Sequence, residues 1–129
     1  MITRRTLICG VAALGMAAAQ PAGATSEKFT WAAFEAAQKA GKPILIEIFA
    51  GWCPICQVQR PIVEDLFMSE RFKDLVYLEI DFDRQKDEMR KLGAQKQSTL
   101  IVFRGLTEVG RSVGDTKREV IEALMAKSL

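Results

Sequence analysis

The residues best equipped for chemistry are two cysteines three positions apart, Cys53 and Cys56, inside Gly51-Trp52-Cys53-Pro54-Ile55-Cys56. Thiols at this spacing on the first turn of a helix can close a small disulfide ring. The free amides of that turn, with the helix dipole, favour a thiolate on the first of them. Cys53 is therefore the expected nucleophile. Cys56, one turn further in, is expected to be more buried and to attack the mixed disulfide that Cys53 forms with a partner protein. The same spacing also occurs as half of a zinc knuckle. The other half is absent here, because the only further cysteine is Cys9 and the 129 residues contain no His. A closed zinc site would need a second chain, and Ser–His–Asp or Cys–His catalysis is unavailable to this chain alone.

A third candidate is Glu47, an acid inside the apolar run Ile44–Phe49. Burying a carboxylate is costly, so desolvation favours its protonated form. Near Cys56 such a group could accept the proton released when the second thiol attacks, directly or through water. The bland alternative is that Glu47 is satisfied by Lys42 or another surface base. Met68 and Met89 read as packing residues rather than thioether ligands.

The charge balance assigns a compartment rather than a binding surface. Eighteen Lys and Arg stand against sixteen Asp and Glu. The excess of two is Arg4-Arg5, at the head of a segment with the three parts of a secretory signal: a basic end, an apolar run Leu7–Ala19, and small residues at Ala22 and Ala24. Residues 1–24 are expected to be a cleaved signal peptide, with the cut before Thr25. An apolar run this short falls below the roughly 20 residues of a spanning helix, which makes an uncleaved anchor the weaker reading. Arg4-Arg5 also resembles a twin-arginine signal, but the usual aromatic and following Lys are missing, so Sec export is preferred. Residues 25–129 then form one formally neutral domain, expected in the periplasm, with no basic surface for nucleic acid.

The elements that position the thiols follow from periodicity and turn residues. Thr30 can cap a helix Trp31–Ala40 carrying Trp31, Phe34 and Ala37 on one face, stopped by Gly41 and Pro43. Ile44–Phe49 reads as a buried strand. A helix runs from the Cys53 turn to about Met68, with Pro61 inside it. Leu75–Asp81 is a second strand, Arg84–Leu92 a helix closed by Gly93, and Thr99–Phe103 a third strand. Gly105 to Glu108 turns the chain into Val109–Val113. Thr116-Lys117-Arg118-Glu119 reads as a capping box for a last helix to about Lys127, with Val120, Ile121 and Leu124 facing inward. This order predicts an α/β fold, a central mixed β-sheet flanked by helices on both faces.

Over residues 28–129 the chain resembles the thioredoxin family, exported members in particular. The family's W-C-x-x-C appears as Trp52-Cys53-Pro54-Ile55-Cys56, and its proline five residues after the second Cys as Pro61. Its buried strand acid appears as Glu47, the acid ending its next strand as Asp81, and its last glycine as Gly114. The resemblance implies the thioredoxin-like fold, a redox disulfide between Cys53 and Cys56, Trp52 as a surface cover over the thiols, and no prosthetic group. It implies a substrate-docking edge at Trp52, Pro54, Gln97, Ser98 and Thr99. One departure stands out: the family's cis-proline, facing the cysteine pair, is here Ser98. A non-proline cis bond costs roughly 3–4 kcal/mol, so a trans or locally rearranged loop is expected.

The expected activity is exported thiol–disulfide exchange with client proteins that carry thiols or disulfides. A reductant kept reduced by a membrane thiol carrier is slightly favoured over an oxidant. The alternatives are a copper-binding module or metallochaperone using the two soft thiolates, motivated by Ser98, and a non-enzymatic adaptor that keeps the fold as a docking surface.

Overall fold

The computed structural model describes residues 26–129, so the expected leader lies outside the described residues. A two-residue strand, β1 (Glu27–Lys28), precedes α1 (Trp31–Lys39), β2 (Pro43–Phe49), α2 (Pro54–Phe67), a single 3-10 turn (Glu70–Phe72) and β3 (Val76–Asp81). Then come α3 (Lys86–Lys91), β4 (Thr99–Arg104), β5 (Thr107–Val113) and α4 (Arg118–Ala126). The sheet order is β1-β3-β2-β4-β5, with β1 and β2 parallel to β3 and the β2–β4 and β4–β5 pairs antiparallel. The mixed sheet is as expected.

Strand alternation divides the core in two. Ile44, Ile46 and Ile48 of β2 join Leu78, Ile80, Ile101 and Phe103 under α1 and α3, where Phe34 and Met89 pack. Leu45 points the other way, with Tyr77, Leu100 and Val102, and meets Val63 and Leu66 of α2 and Ile121, Leu124 and Met125 of α4. Glu47 shares this second face by the same alternation. Both faces are thus covered by helices, and β2 at the centre delivers its C-terminal end to the start of α2.

Five points differ from expectation. Strand β1 is too short to leave a periodic signal and exists because Glu27 and Lys28 extend the sheet beside Leu78 and Glu79. Helix α3 starts two residues later than Arg84, because the Asp81 carboxylate accepts the Asp83 and Arg84 amides in a turn of 2.9 and 3.2 Å contacts. The hairpin is tighter than expected: β5 begins at Thr107, pairing with Arg104 across Gly105-Leu106, and Gly105 takes the left-handed φ of 56°. The capping box does not form, since Lys117 occupies the N-cap without a side-chain bond and Glu119 falls one position short of the box. Arg118 instead ties this helix start to Asp65 of α2 at 2.5 Å. The inward stripe of α4 is Ile121, Leu124 and Met125, leaving Val120 exposed. Among the described residues no helix is long and apolar enough to cross a membrane.

Candidate active site

The turn after β2 builds the site. Cys53 is the N-cap of α2 in extended conformation, its amide bonded to the Ala50 carbonyl at 3.1 Å, and Pro54 occupies the first helical position, where a missing N–H costs nothing. The Cys53 Sγ accepts the Cys56 amide at 3.3 Å, as a capping side chain does. Both cysteines are free thiols and buried, packed with Ala50 against Phe49 and Phe82. The Cys56 side chain is therefore not distinguished by burial alone. What separates the two thiols is the balance between desolvation and hydrogen bonding. Burial pushes the Cys53 thiol up, but bonds from the Cys56 side chain, the Ser98 hydroxyl and the Cys56 and Ile55 amides outweigh it and leave Cys53 below the ordinary thiol value. Burial and the bond with Cys53 push Cys56 above it.

Ser98 completes this cluster. Its Oγ lies 3.3 Å from the Cys53 Sγ and 3.1 Å from the Cys56 Sγ. Its backbone adopts φ 60°, and no described peptide bond is cis, so of the trans or rearranged loop expected from the sequence the trans bond is observed. The Ser98 amide bonds to the Ile48 carbonyl at 2.8 Å, and its carbonyl accepts the Gly114 amide at 2.9 Å and the Gln59 Nε2 at 3.3 Å. The neighbours expected at this edge do not reach the sulfurs: Thr99 turns its Oγ1 to the Lys96 carbonyl at 2.7 Å, and Gln97 is half-buried. Trp52 and Pro54 are exposed beside Cys53. The Trp52 ring meets Phe82 edge-on at 5.9 Å, while its Nε1 donates to the Asp83 carboxylate at 3.0 Å. It thus covers Phe82, which in turn packs on the thiols.

Glu47 is buried, but its base is not Lys42. The Arg60 Nε and Nη2 donate to its Oε1 at 2.8 and 2.6 Å, and the Tyr77 hydroxyl donates to its Oε2 at 2.5 Å. Arg60 also bonds Glu79 and lies with its guanidinium 3.3 Å over the Phe49 ring. Burial pushes the Glu47 carboxyl above its ordinary value against the pull of Tyr77 and Arg60. Each of these contacts uses Glu47 as an acceptor, and none of its hydrogen bonds among the described residues goes to a sulfur. Arg60, Tyr77 and Glu79 were missed at the sequence level. The signal was available in part: Glu47 pairs in register with Glu79, and Tyr77 and Glu79 alternate onto the same face.

Among the described residues no group of three or more His, Cys, Asp or Glu is placed to hold a metal. The site is instead a thiol pair with one hydroxyl between the sulfurs. The thioredoxin family model matches residues 25–127. The chain belongs to the thioredoxin family. Its thioredoxin-like fold is shared with the solved structure of Trxlp from Edwardsiella tarda EIB202, at a TM-score of 0.76 and 35% identity, covering 78% of this chain and 98% of that one. Thioredoxin from Alicyclobacillus acidocaldarius is 28% identical over 78% of this chain and 94% of its own length. Thioredoxin H2-1 of rice, Oryza sativa subsp. japonica, is 31% identical over 67% of this chain and 62% of its own. As a thioredoxin-family protein it is a protein-disulfide oxidoreductase, with the Cys53–Cys56 spacing of the family's redox pair.

Proposed function

We propose that this thioredoxin-family protein is exported and reduces disulfides in client proteins, with Cys53 as attacking thiolate and Cys56 as resolving thiol. The observation that carries the division of labour is the hydrogen-bonding asymmetry at the start of α2, where Cys53 alone caps the helix. A thiolate at Cys53 attacks one sulfur of the client disulfide, and the other client sulfur leaves with the electron pair and takes up a proton. Cys56 then attacks the Cys53 sulfur, so the pair ends as a disulfide and the client as two thiols. The exposed Trp52 and Pro54 offer an apolar docking surface beside Cys53, with Gln97, Ser98 and Thr99 forming the facing edge.

A stabilised thiolate serves an oxidant as well as a reductant. The lean to reductant rests on the buried acid Glu47 and on the short connections among the described residues, which carry no inserted helical domain. A membrane thiol carrier is the electron source that an exported reductant requires, since the pair must be returned to the dithiol after each cycle. The test is the redox state of the pair in the cell: acid quenching and alkylation of a fractionated culture. The result expected is a periplasmic protein lacking residues 1–24 with Cys53 and Cys56 mostly reduced. A pair found mostly oxidised at steady state contradicts the reductant direction, and retention in the cytoplasm contradicts export.

A further inference from the structure

The hydroxyl of Ser98 has two candidate acceptors, and both are sulfurs that change charge during disulfide exchange. It lies 3.3 Å from Cys53 Sγ and 3.1 Å from Cys56 Sγ, in a residue that is only 2% exposed. Its backbone is fixed on three sides by Ile48, Gly114 and Gln59, so redirecting its hydrogen between the sulfurs needs only side-chain torsions. The conformation itself is unusual: a serine at φ 60° sits in a region that costs a residue with a Cβ of order 1 kcal/mol or more. Proline, which the family resemblance places here, has φ locked near −65°, no amide for Ile48 and no hydroxyl. The other buried polar side chains nearby are bonded elsewhere: Glu47 to Arg60 and Tyr77, Gln59 to the Ser98 and Asp115 carbonyls, and Thr99 to the Lys96 carbonyl. Ser98 is thus the side chain through which a proton-bearing group reaches both reacting atoms.

We propose that Ser98 is a catalytic hydrogen-bond donor that alternates between the two sulfurs, serving the Cys53 thiolate in the resting dithiol and the Cys56 sulfur during the resolving step. In the reduced protein the Cys56 S–H is directed at the Cys53 sulfur, and the Ser98 hydrogen points at the Cys53 thiolate. Attack on a client disulfide forms the Cys53–client bond and expels the second client sulfur as a thiolate, which is protonated by solvent. Cys53 is then neutral, and the Ser98 hydrogen is released to turn toward Cys56. Cys56 gives up its proton to water, its electron pair forms the Cys53–Cys56 bond, and the client's bonded sulfur leaves with the pair from the broken bond and is protonated in turn. Two electrons pass from the dithiol to the client, and the Ser98 proton is neither consumed nor supplied.

The test compares wild type with Ser98→Ala and Ser98→Gly, the second of which accepts φ 60° without strain. The first readout is the ultraviolet titration of the Cys53 thiolate in the free protein. Because it uses no client, it is independent of whether the proposed reductive function holds. A hydrogen bond to a charged group is lost in both variants, so the Cys53 titration moves up by about one pH unit, roughly a tenfold loss of thiolate below it. The second readout is the lifetime of a mixed disulfide made on Cys53 with a small aromatic thiol, expected to lengthen about tenfold in both variants. Titrations and lifetimes within about twofold of wild type in both variants overturn the proposal. So does a shift in Ser98→Ala that Ser98→Gly lacks, because that would trace the effect to backbone strain rather than to the hydroxyl.

Discussion

Replacing Arg60 with Met tests how the buried acid is held. The substitution keeps a linear stem over Phe49 but removes both donors from Glu47 Oε1 and the bond to Glu79. Glu47 is 1% exposed, so among its observed partners the carboxylate is left with Tyr77 as its sole donor. Removing one partner of a buried pair costs about 3–5 kcal/mol. The Arg60 side chain retains 22% exposure, which places the expected loss near the lower end, about 3 kcal/mol at neutral pH. The sign with pH follows from the direction of the Glu47 shift. An acid whose folded pKa lies above its unfolded value adds stability at low pH, and that contribution is lost as pH rises through the folded pKa. Without Arg60 the Glu47 pKa climbs further above 4.5, so the protein can escape the penalty by protonating Glu47. Urea unfolding is therefore expected to show a deficit that is largest near pH 7.5 and shrinks toward pH 5, and that adding Glu47→Gln to Arg60→Met recovers by about 1–2 kcal/mol at neutral pH. A deficit equal at both pH values, or smaller than about 1 kcal/mol at neutral pH, would refute the view that Arg60 holds an ionised Glu47.

Other substitutions probe the site and its frame. Ser98→Pro cannot keep φ 60° or the amide bond to Ile48, and should lower unfolding stability by about 3 kcal/mol or more, read as a fall in the urea midpoint. Gly110→Ala places a Cβ 2.9 Å from Leu124 Cδ1 and should cost about 1–3 kcal/mol by crowding β5 against α4, measured the same way. Trp52→Ala loses an exposed ring and its Asp83 bond, so it should slow exchange with a protein disulfide several-fold while changing stability by no more than about 1 kcal/mol. As pH is raised toward the ordinary thiol value of 9.0, iodoacetamide should label Cys53 first and Cys56 only above it, as mapped by mass spectrometry; labelling of Cys56 first would reverse the assignment.

Much of this arrangement is legible in the residues because local signals carry it. The apolar run at Ile44–Phe49, the proline after Cys53 and the glycines at 93, 105 and 114 each dictate an element or its end, and they lie where alternation and turn chemistry put them. What stayed hidden depends on residues far apart in sequence. Arg60 reads as one more charge on an amphipathic helix until β2 and β3 align Glu47 with Glu79 beneath it. Strand β1 is two residues long and exists because a neighbouring strand offers it an edge. The capping box at Thr116 failed for a local reason, a one-residue offset of the helix start, beside which the Arg118–Asp65 pair ties α4 to α2. Ser98 could be singled out as a departure from proline, whereas its hydroxyl between two sulfurs emerges only when β4 is laid beside the start of α2.

The central claim is that Cys53 attacks and Cys56 resolves. Its most direct measurement is trapping with a disulfide-bonded client: Cys56→Ser and Cys53→Ser proteins are mixed with it, quenched in acid and mapped by mass spectrometry. Accumulation of a mixed disulfide on Cys53 in Cys56→Ser, with little or none on Cys56 in Cys53→Ser, is the predicted result. Adducts that form equally on either cysteine, or on neither, would contradict it.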